Sequence, residues 1–458
     1  MRKIKNFGEL ASNSGRKAAL DIAEAGLDAI DTRKAIKERI ILEDGKLCIK
    51  DYWCSLENFE KIAVVGVGKC AMEAASALEE VLGDRLSGGI VLDVYKSDKR
   101  DLKKIECFIG THPLPSEKNA EITKKLVNLL NGLSEKDLVI FIISGGGSTL
   151  LYLPDEGADC PDEKLIVGEL MRSGADIREI NTVRKHLSLA RGGHLAKYAY
   201  PAQAVSLIFS DVPGHDMEFV ASGPTFKDTT TIEDAARILA KYDILKTCGF
   251  SHCGLIETPK DDIYFQKVTN ILFMSNQMAL EAMENKAREL GFSAKIVTDK
   301  LSGEAKDAGM MIVGDLKKSP DKTALLYGGE TTVTVKNNGN NGNEGNNDKD
   351  NNKNIDDKNN SGKGGRNQEL ALSAMDFLKK GGIVLSLNTD GRDNTDHAGA
   401  LCDSTTKEKA AKLDANPKDF LREHSSYDFF EKIGDYIETG YTGSNISDIV
   451  IAIKGQEQ

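Results

Sequence analysis

The chain has 458 residues, more than a single hydrophobic core usually serves, so two domains are expected. Hydrophobic residues make up 40% of it, which excludes a disordered protein, and a formal net charge of -11 argues against a nucleic-acid partner, whose binding surface needs basic stripes. No apolar leader follows Met1-Arg2-Lys3 and no apolar run is long enough to cross a bilayer, so a cytoplasmic protein with no membrane partner is expected.

Ala, Leu and Ile recur at helical spacing through about the first 35 residues and predict an amphipathic helix, followed by a hairpin around Asp44-Gly45. A buried strand over residues 62–65 then meets the turn Gly66-Val67-Gly68 and a helix with Ala71, Ala74, Ala75, Leu78 and Leu82 on one face. Strands over 90–94, 138–143 and 205–209 continue the alternation, which indicates a parallel α/β sheet with ligands at the carboxyl ends of its strands. A second set starts near Ile271, with strands over 294–297, 323–327, 331–335 and 383–387 and a helix over 367–378. The expected division is residues 1–265 and 266–458, with the boundary in the polar stretch 257–267. Residues 337–363 are almost entirely Asn, Gly, Lys and Asp, the composition of a disordered insert in a surface loop of the second domain. The eight cysteines form no CxxC pair, and Cys248 and Cys253 around His252 are too slight a pattern to mark a metal site.

Several strand ends carry chemistry. The segment 66–71, with Gly66, Gly68 and Lys69, reads either as a dinucleotide turn, with Asp93 for a ribose, or as an anion site at a helix start. It is not a P-loop, because Ala63 and Cys70 stand where Gly and Ser or Thr belong. Ser144, Gly145, Gly146, Gly147 and Ser148 follow a fully apolar strand, and three glycines let the backbone approach a phosphate or substrate closely. Asp211 ends the next strand as a candidate base or metal ligand, or as a loop cap. Residues 181–186 read as a capped helix whose cations, Arg184 among them, could clamp a carboxylate or simply be exposed helix charges. Residues 111–115 read as a rigid loop, and His112 is given no catalytic duty. Arg366 and Asn367 open a helix after Gly364-Gly365, and the arginine offers a fork of donors. Asp390 and Asp393 suit either magnesium or a turn.

In fixed order these motifs are GVGKCA at 66–71, THPLP at 111–115, SGGGS at 144–148, NTVRKHLS at 181–188, SDVPG at 210–214 and ASGPT at 221–225, then GGETTVTV at 328–335, GGRNQELAL at 364–372, TDGRD at 389–393 and TGSNISD at 442–448. The set resembles the glycerate 2-kinase family of the MOFRL type over nearly the whole chain except the Asn-rich segment. The resemblance implies two Rossmann-like α/β domains with an active-site cleft between them. It also implies transfer of the γ-phosphoryl group of ATP to the 2-hydroxyl of D-glycerate, with Mg²⁺, by a monomer or homodimer. It points to Lys69, Asp211, Arg366 and Asp390 as functional residues. The expected roles are charge neutralisation by Lys69 and Arg366, orientation or deprotonation of the hydroxyl by Asp211, and magnesium binding by Asp390 with Asp393. His215 after SDVPG, the short loop Asn394-Thr395-Asp396 and Tyr441 before TGSN depart from the family pattern. Two other readings remain open at this stage, an NAD(P)-dependent hydroxypyruvate reductase and a non-catalytic nucleotide-binding module.

Overall fold

The computed structural model describes residues 2–95, 102–155, 163–212, 216–251, 253–334 and 362–455. The Asn-rich segment, apart from Gly362 and Lys363, lies outside the described residues, as do His252 and the Pro213-Gly214-His215 end of the SDVPG loop. The chain is α/β and divides into two compact units, a larger one of Asp28–Ala279 with Gly443–Ser447, and a smaller one of Met1–Leu27, Leu280–Thr442 and Asp448–Gln458. The division therefore falls later than residue 265, and the first 27 residues join the C-terminal unit.

In the larger unit, β1 (Ile40–Glu43), β2 (Lys46–Ile49) and β3 (Tyr52–Ser55) make a small antiparallel sheet around the expected Asp44-Gly45 turn. The main sheet consists of β4 (Lys61–Val67), β5 (Gly88–Asp93), β6 (Ile105–Ile109), β7 (Asp137–Ser144), β8 (Gln203–Ser210) and β9 (Val268–Ser275). Its order is β6-β5-β4-β7-β8-β9 and every pairing is parallel. The order reverses between β4 and β7, and at such a switch point neighbouring loops leave in opposite directions and open a crevice at the strand ends. Every residue of β7 is buried, because helices cover both faces of a parallel sheet and its sequence is a continuous apolar run. Val65, Leu92, Val139, Phe141 and Ile208 belong to its core.

The smaller unit holds β10 (Ser293–Leu301), β11 (Thr323–Gly329), β12 (Gly382–Asn388), β13 (Gly399–Cys402), β14 (Tyr436–Ile437) and β15 (Asp448–Lys454), in the order β10-β11-β15-β12-β13-β14. Here the expectation of a second parallel set fails. Only β10 and β11 are parallel, and the C-terminal strand β15 inserts antiparallel between β11 and β12. The segment near Ile271 belongs instead to the first sheet as its edge strand. Residues 331–334 contribute one bridge, Thr332 to Glu304, rather than a strand.

The N-terminal region is not one helix but three, Phe7–Leu10, Ser14–Ala29 and Thr32–Arg39, the last capped by Asp31. Arg16 explains why the first residues belong to the smaller unit. Its buried guanidinium makes five hydrogen bonds of 2.7–2.9 Å, to both oxygens of Asp403, both of Asp435, and Thr406. Burial opposes its charge, and the two aspartates outweigh that and raise its pKa.

Candidate active site

The switch point of the larger sheet brings the GVGKCA and SGGGS loops together. Lys69 N donates to Gly145 O at 3.0 Å, and Gly68 packs so closely on Ser144 that a Cβ there would strike its backbone and hydroxyl. The amides of the first loop are used inside the protein. Gly68 N donates to Leu92 O, Ala71 N to Gly68 O and Cys70 N to the Ser144 hydroxyl. The buried Asp93 carboxylate accepts from Met72 N at 2.9 Å, Val94 N at 2.6 Å and Tyr95 N at 3.1 Å. Burial pushes Asp93 up to about 6, against those bonds. The expected backbone cradle at Gly66 and Gly68 is thus corrected. These glycines allow close packing, and the Lys69 side chain beside them is half-buried. Asp93, engaged with three amides, is not presented to a ribose, which removes the feature that favoured a dinucleotide.

The SGGGS loop is the centre of the arrangement. Gly146 adopts φ 82°, which glycine reaches without strain, and a four-residue helix (Gly147–Leu150) starts after it. A Cβ on Gly146 would lie 3.3 Å from Lys69 Cγ and 3.4 Å from His112 Cδ2 and Nε2, and one on Gly145 would strike the Asp211 carboxylate and the Asn445 amide. With no side chain on either glycine, Asp211 and Asn445 pack directly against Gly145, and Lys69 and His112 pack against Gly146. Asp211, at the end of β8, accepts from Asn445 Nδ2 at 3.2 Å, and its carbonyl accepts from Ser447 Oγ at 2.5 Å.

The segment 443–447 is fixed in the larger unit by Thr32 Oγ1 donating to Gly443 O and Ser444 Oγ donating to Ile30 O. Ser447 sits at φ 75°, a left-handed conformation that costs about 1–3 kcal/mol for a residue with a Cβ. Ala221 and Ser222, at φ 53° and 58°, are strained in the same way. Ser222 Oγ lies 2.8 Å from Ser148 Oγ and donates to Asn181 Oδ1 at 3.0 Å. Strain of this kind persists where surrounding structure holds it, and it clusters at functional sites.

Of the NTVRKHLS run, Lys185 and His186 are structural. The former pairs with buried Asp228 at 3.0 Å, and the latter contacts Ile256 O at 2.7 Å. Arg184 behaves differently. Its side chain is 16% exposed, and its pKa is pushed down to about 10, first by burial and then by Arg191, with Glu163 opposing. His112 is exposed, yet burial, then the charges of Lys69 and Arg184, hold its pKa down to about 4. His112, Asn181, Ser222, Asn445 and Ser447 were not singled out by sequence reasoning. The only signal for them was their place in unassigned motifs.

In the smaller unit a helix (Arg366–Phe377) follows Gly364-Gly365 as expected. The guanidinium fork of Arg366 is already closed on protein. Nε and Nη2 grip Asp448 at 2.6 and 2.9 Å, and Nη1 reaches half-exposed Glu330 at 2.7 Å. Burial opposes its charge and Asp448, Glu330 and Asp393 overcome that, raising the pKa. A polar cavity of about 500 Å³ lies here, lined among others by Glu330, Gly365, Arg366, Glu369, Asp393 and His424.

Of the two expected metal ligands, Asp393 is engaged inside the protein. Asp393 is buried and caps this helix, accepting from Asn367 N and Nδ2 and from Gln368 N and Nε2 at 2.8–3.3 Å, so both its oxygens are taken. Burial and Asp448 push it up to about 6, against the bonds from Gln368 and Asn367. Asn367 links Asp393 to Ser386 Oγ inside the protein instead of facing a ligand. Asp390 Oδ1 accepts from Arg392 N at 2.8 Å, the two-residue turn that aspartate favours. Among the described residues no group of three His, Cys, Asp or Glu could hold a metal ion.

Residues 18–250 match the model of a domain of unknown function, DUF4147, and residues 353–448 match the MOFRL family. A glycerate 2-kinase from Pyrococcus horikoshii is 38% identical, aligned over 95% of this chain and 98% of its own length. A relative from Agrobacterium vitis, provisionally named a hydroxypyruvate reductase, is 36% identical over 85% of this chain and 86% of its own length. The crystal structure of a glycerate kinase from Thermotoga maritima superposes with a TM-score of 0.76 at 34% identity, covering 96% of this chain and 99% of that one. Among the described residues no helix is long and apolar enough to cross a membrane.

Proposed function

From the premise that the chain belongs to the glycerate 2-kinase family with a MOFRL domain, we propose that it transfers the γ-phosphoryl group of ATP to the 2-hydroxyl of D-glycerate. The observation that carries the reading is the convergence of a carboxylate, Asp211, and a cation, Lys69, on the adjacent residues Gly145 and Gly146. Phosphoryl transfer needs positioning and charge neutralisation more than covalent chemistry from the protein.

Asp211 accepts the proton of the 2-hydroxyl as that oxygen bonds to the γ-phosphorus. The bond from the γ-phosphorus to the β–γ bridging oxygen breaks, and ADP leaves with that electron pair. Asn445 and Ser447 hold Asp211 in place for the transfer, one through the carboxylate and one through the carbonyl. Lys69 offsets charge that develops on the transferred group. Within the smaller unit, Asp448 keeps one edge of Arg366 fixed and half-exposed Glu330 holds its Nη1 end, so only Nη1 could exchange its partner for a phosphate oxygen. The hydroxypyruvate reductase reading has no comparable support, because the acidic residue it requires is engaged by three amides.

The test is ADP release followed by a coupled assay, with and without D-glycerate. Glycerate-dependent ADP formation is expected, with Asp211→Asn losing about 10²–10⁴-fold in turnover as a missing general base would. NADH oxidation by hydroxypyruvate without glycerate-dependent ADP release would overturn the reading.

A further inference from the structure

We propose that the Arg184 guanidinium, with Lys69 and His112 beside it, receives the carboxylate of the acceptor and so restricts this chain to 2-hydroxy acids. The inference rests on the kinase reading above and assigns the end of the acceptor that the reacting hydroxyl does not use.

The first ground is an unmet requirement for a partner. Arg184 donates no side-chain hydrogen bond among the described residues, and its buried Nε has no acceptor. The nearest carboxylate oxygen, Glu163 Oε1, is 3.9 Å from that Nε and is already held by Arg191, which binds Glu163 at 2.8 and 3.1 Å. A desolvated guanidinium without a partner is costly, whereas an anionic ligand would satisfy it with paired donors. Arg191 beside it is the structural counterpart, fully buried and closed on its carboxylate.

The second ground is position. On the helix Ile177–Lys185, Asn181 lies one turn before Arg184 and accepts from Ser222 Oγ, which is 2.8 Å from Ser148 Oγ in the SGGGS loop that Lys69 and His112 abut. A neutral imidazole can donate one hydrogen bond without adding a full charge, which suits a singly charged carboxylate.

The third ground is spacing. His112 and Lys69 abut Gly146, and Asp211 and Asn445 abut Gly145. The two clusters thus flank adjacent residues, and a 2-hydroxy acid carries its carboxylate and its hydroxyl on adjacent carbons, so an acceptor held at Arg184 would present its 2-hydroxyl to Asp211.

Calorimetry of D-glycerate binding without ATP, together with steady-state kinetics, tests the assignment. Arg184→Met should weaken glycerate binding and raise its KM by about 10²-fold, with the KM for ATP within about threefold, and Arg184→Lys should recover part of the loss. Glyceramide, which keeps the hydroxyls and lacks the charge, needs no variant. The wild-type chain should prefer glycerate by about 10²-fold or more in kcat/KM. Glycerate binding unchanged in both Arg184 variants, a rise confined to the KM for ATP, or equal use of glyceramide would each overturn the proposal. Glycerate that binds through Arg184 without being phosphorylated would leave the receptor standing and overturn the kinase reading instead.

Discussion

Adding one methyl group at Gly145 tests the arrangement over the SGGGS loop. A Cβ there would stand 2.6 Å from Asp211 Cγ, and nearer still to Asp211 Oδ2 and Asn445 Nδ2. Comfortable carbon–carbon contact begins at about 3.5 Å, so Asp211 has to retreat by about 1 Å, and its 3.2 Å bond from Asn445 is disturbed with it. A displacement of about 1 Å in a reacting group lowers turnover by about 10²-fold, equivalent to about 2.7 kcal/mol of barrier. Gly145 is not among the residues with positive φ, so alanine meets no backbone strain and the cost to stability is the ordinary about 1–3 kcal/mol of overpacking. The assay is kcat with saturating glycerate and ATP, alongside the melting temperature. A Gly145→Ala protein that keeps kcat within about threefold of wild type would refute the placement of Asp211 at the reacting hydroxyl.

Lys69→Met should remain folded and lose about 10²–10³-fold in turnover, as removal of a preorganised donor does, and near-normal kcat would assign Lys69 to the turn alone. His112, held near 4 against an ordinary value of 6.5, stays neutral above about pH 5, so the KM for glycerate should show no step near pH 6.5. The depressed pKa favours the neutral folded form, so this group's stabilisation is complete above about pH 6.5 and is lost as pH falls toward 4. A KM step near 6.5 that vanishes in His112→Gln would contradict the cationic surroundings. Arg16→Met leaves Asp403 and Asp435 buried without their partner and should destabilise the protein by about 3–5 kcal/mol in urea titration. Asp390→Asn should leave the half-saturating magnesium concentration unchanged, since that carboxylate serves a turn, and a clear rise would restore it as a ligand.

What the sequence made legible was local. The apolar run of β7, the three glycines after it and the helices opening at Ala71 and Arg366 follow from periodicity and turn chemistry within a few residues. What it concealed depends on partners far along the chain. Asp393 reads as a metal ligand until the helix start 25 residues upstream is seen to take both its oxygens, and Arg366 reads as an open fork until Asp448, 82 residues on, closes it. The antiparallel insertion of β15 has the same origin, because an apolar strand does not declare its neighbours. Asn445 and Ser447 reach Asp211 across more than 230 residues, a pairing that no spacing rule anticipates.

The most direct test of the central claim is the identity of the product formed from D-glycerate, ATP and magnesium by the purified full chain, read by phosphorus and carbon NMR. The account predicts 2-phosphoglycerate, formed in step with ADP. Formation of the 3-phospho isomer, or no phosphorylated glycerate at all, would contradict it.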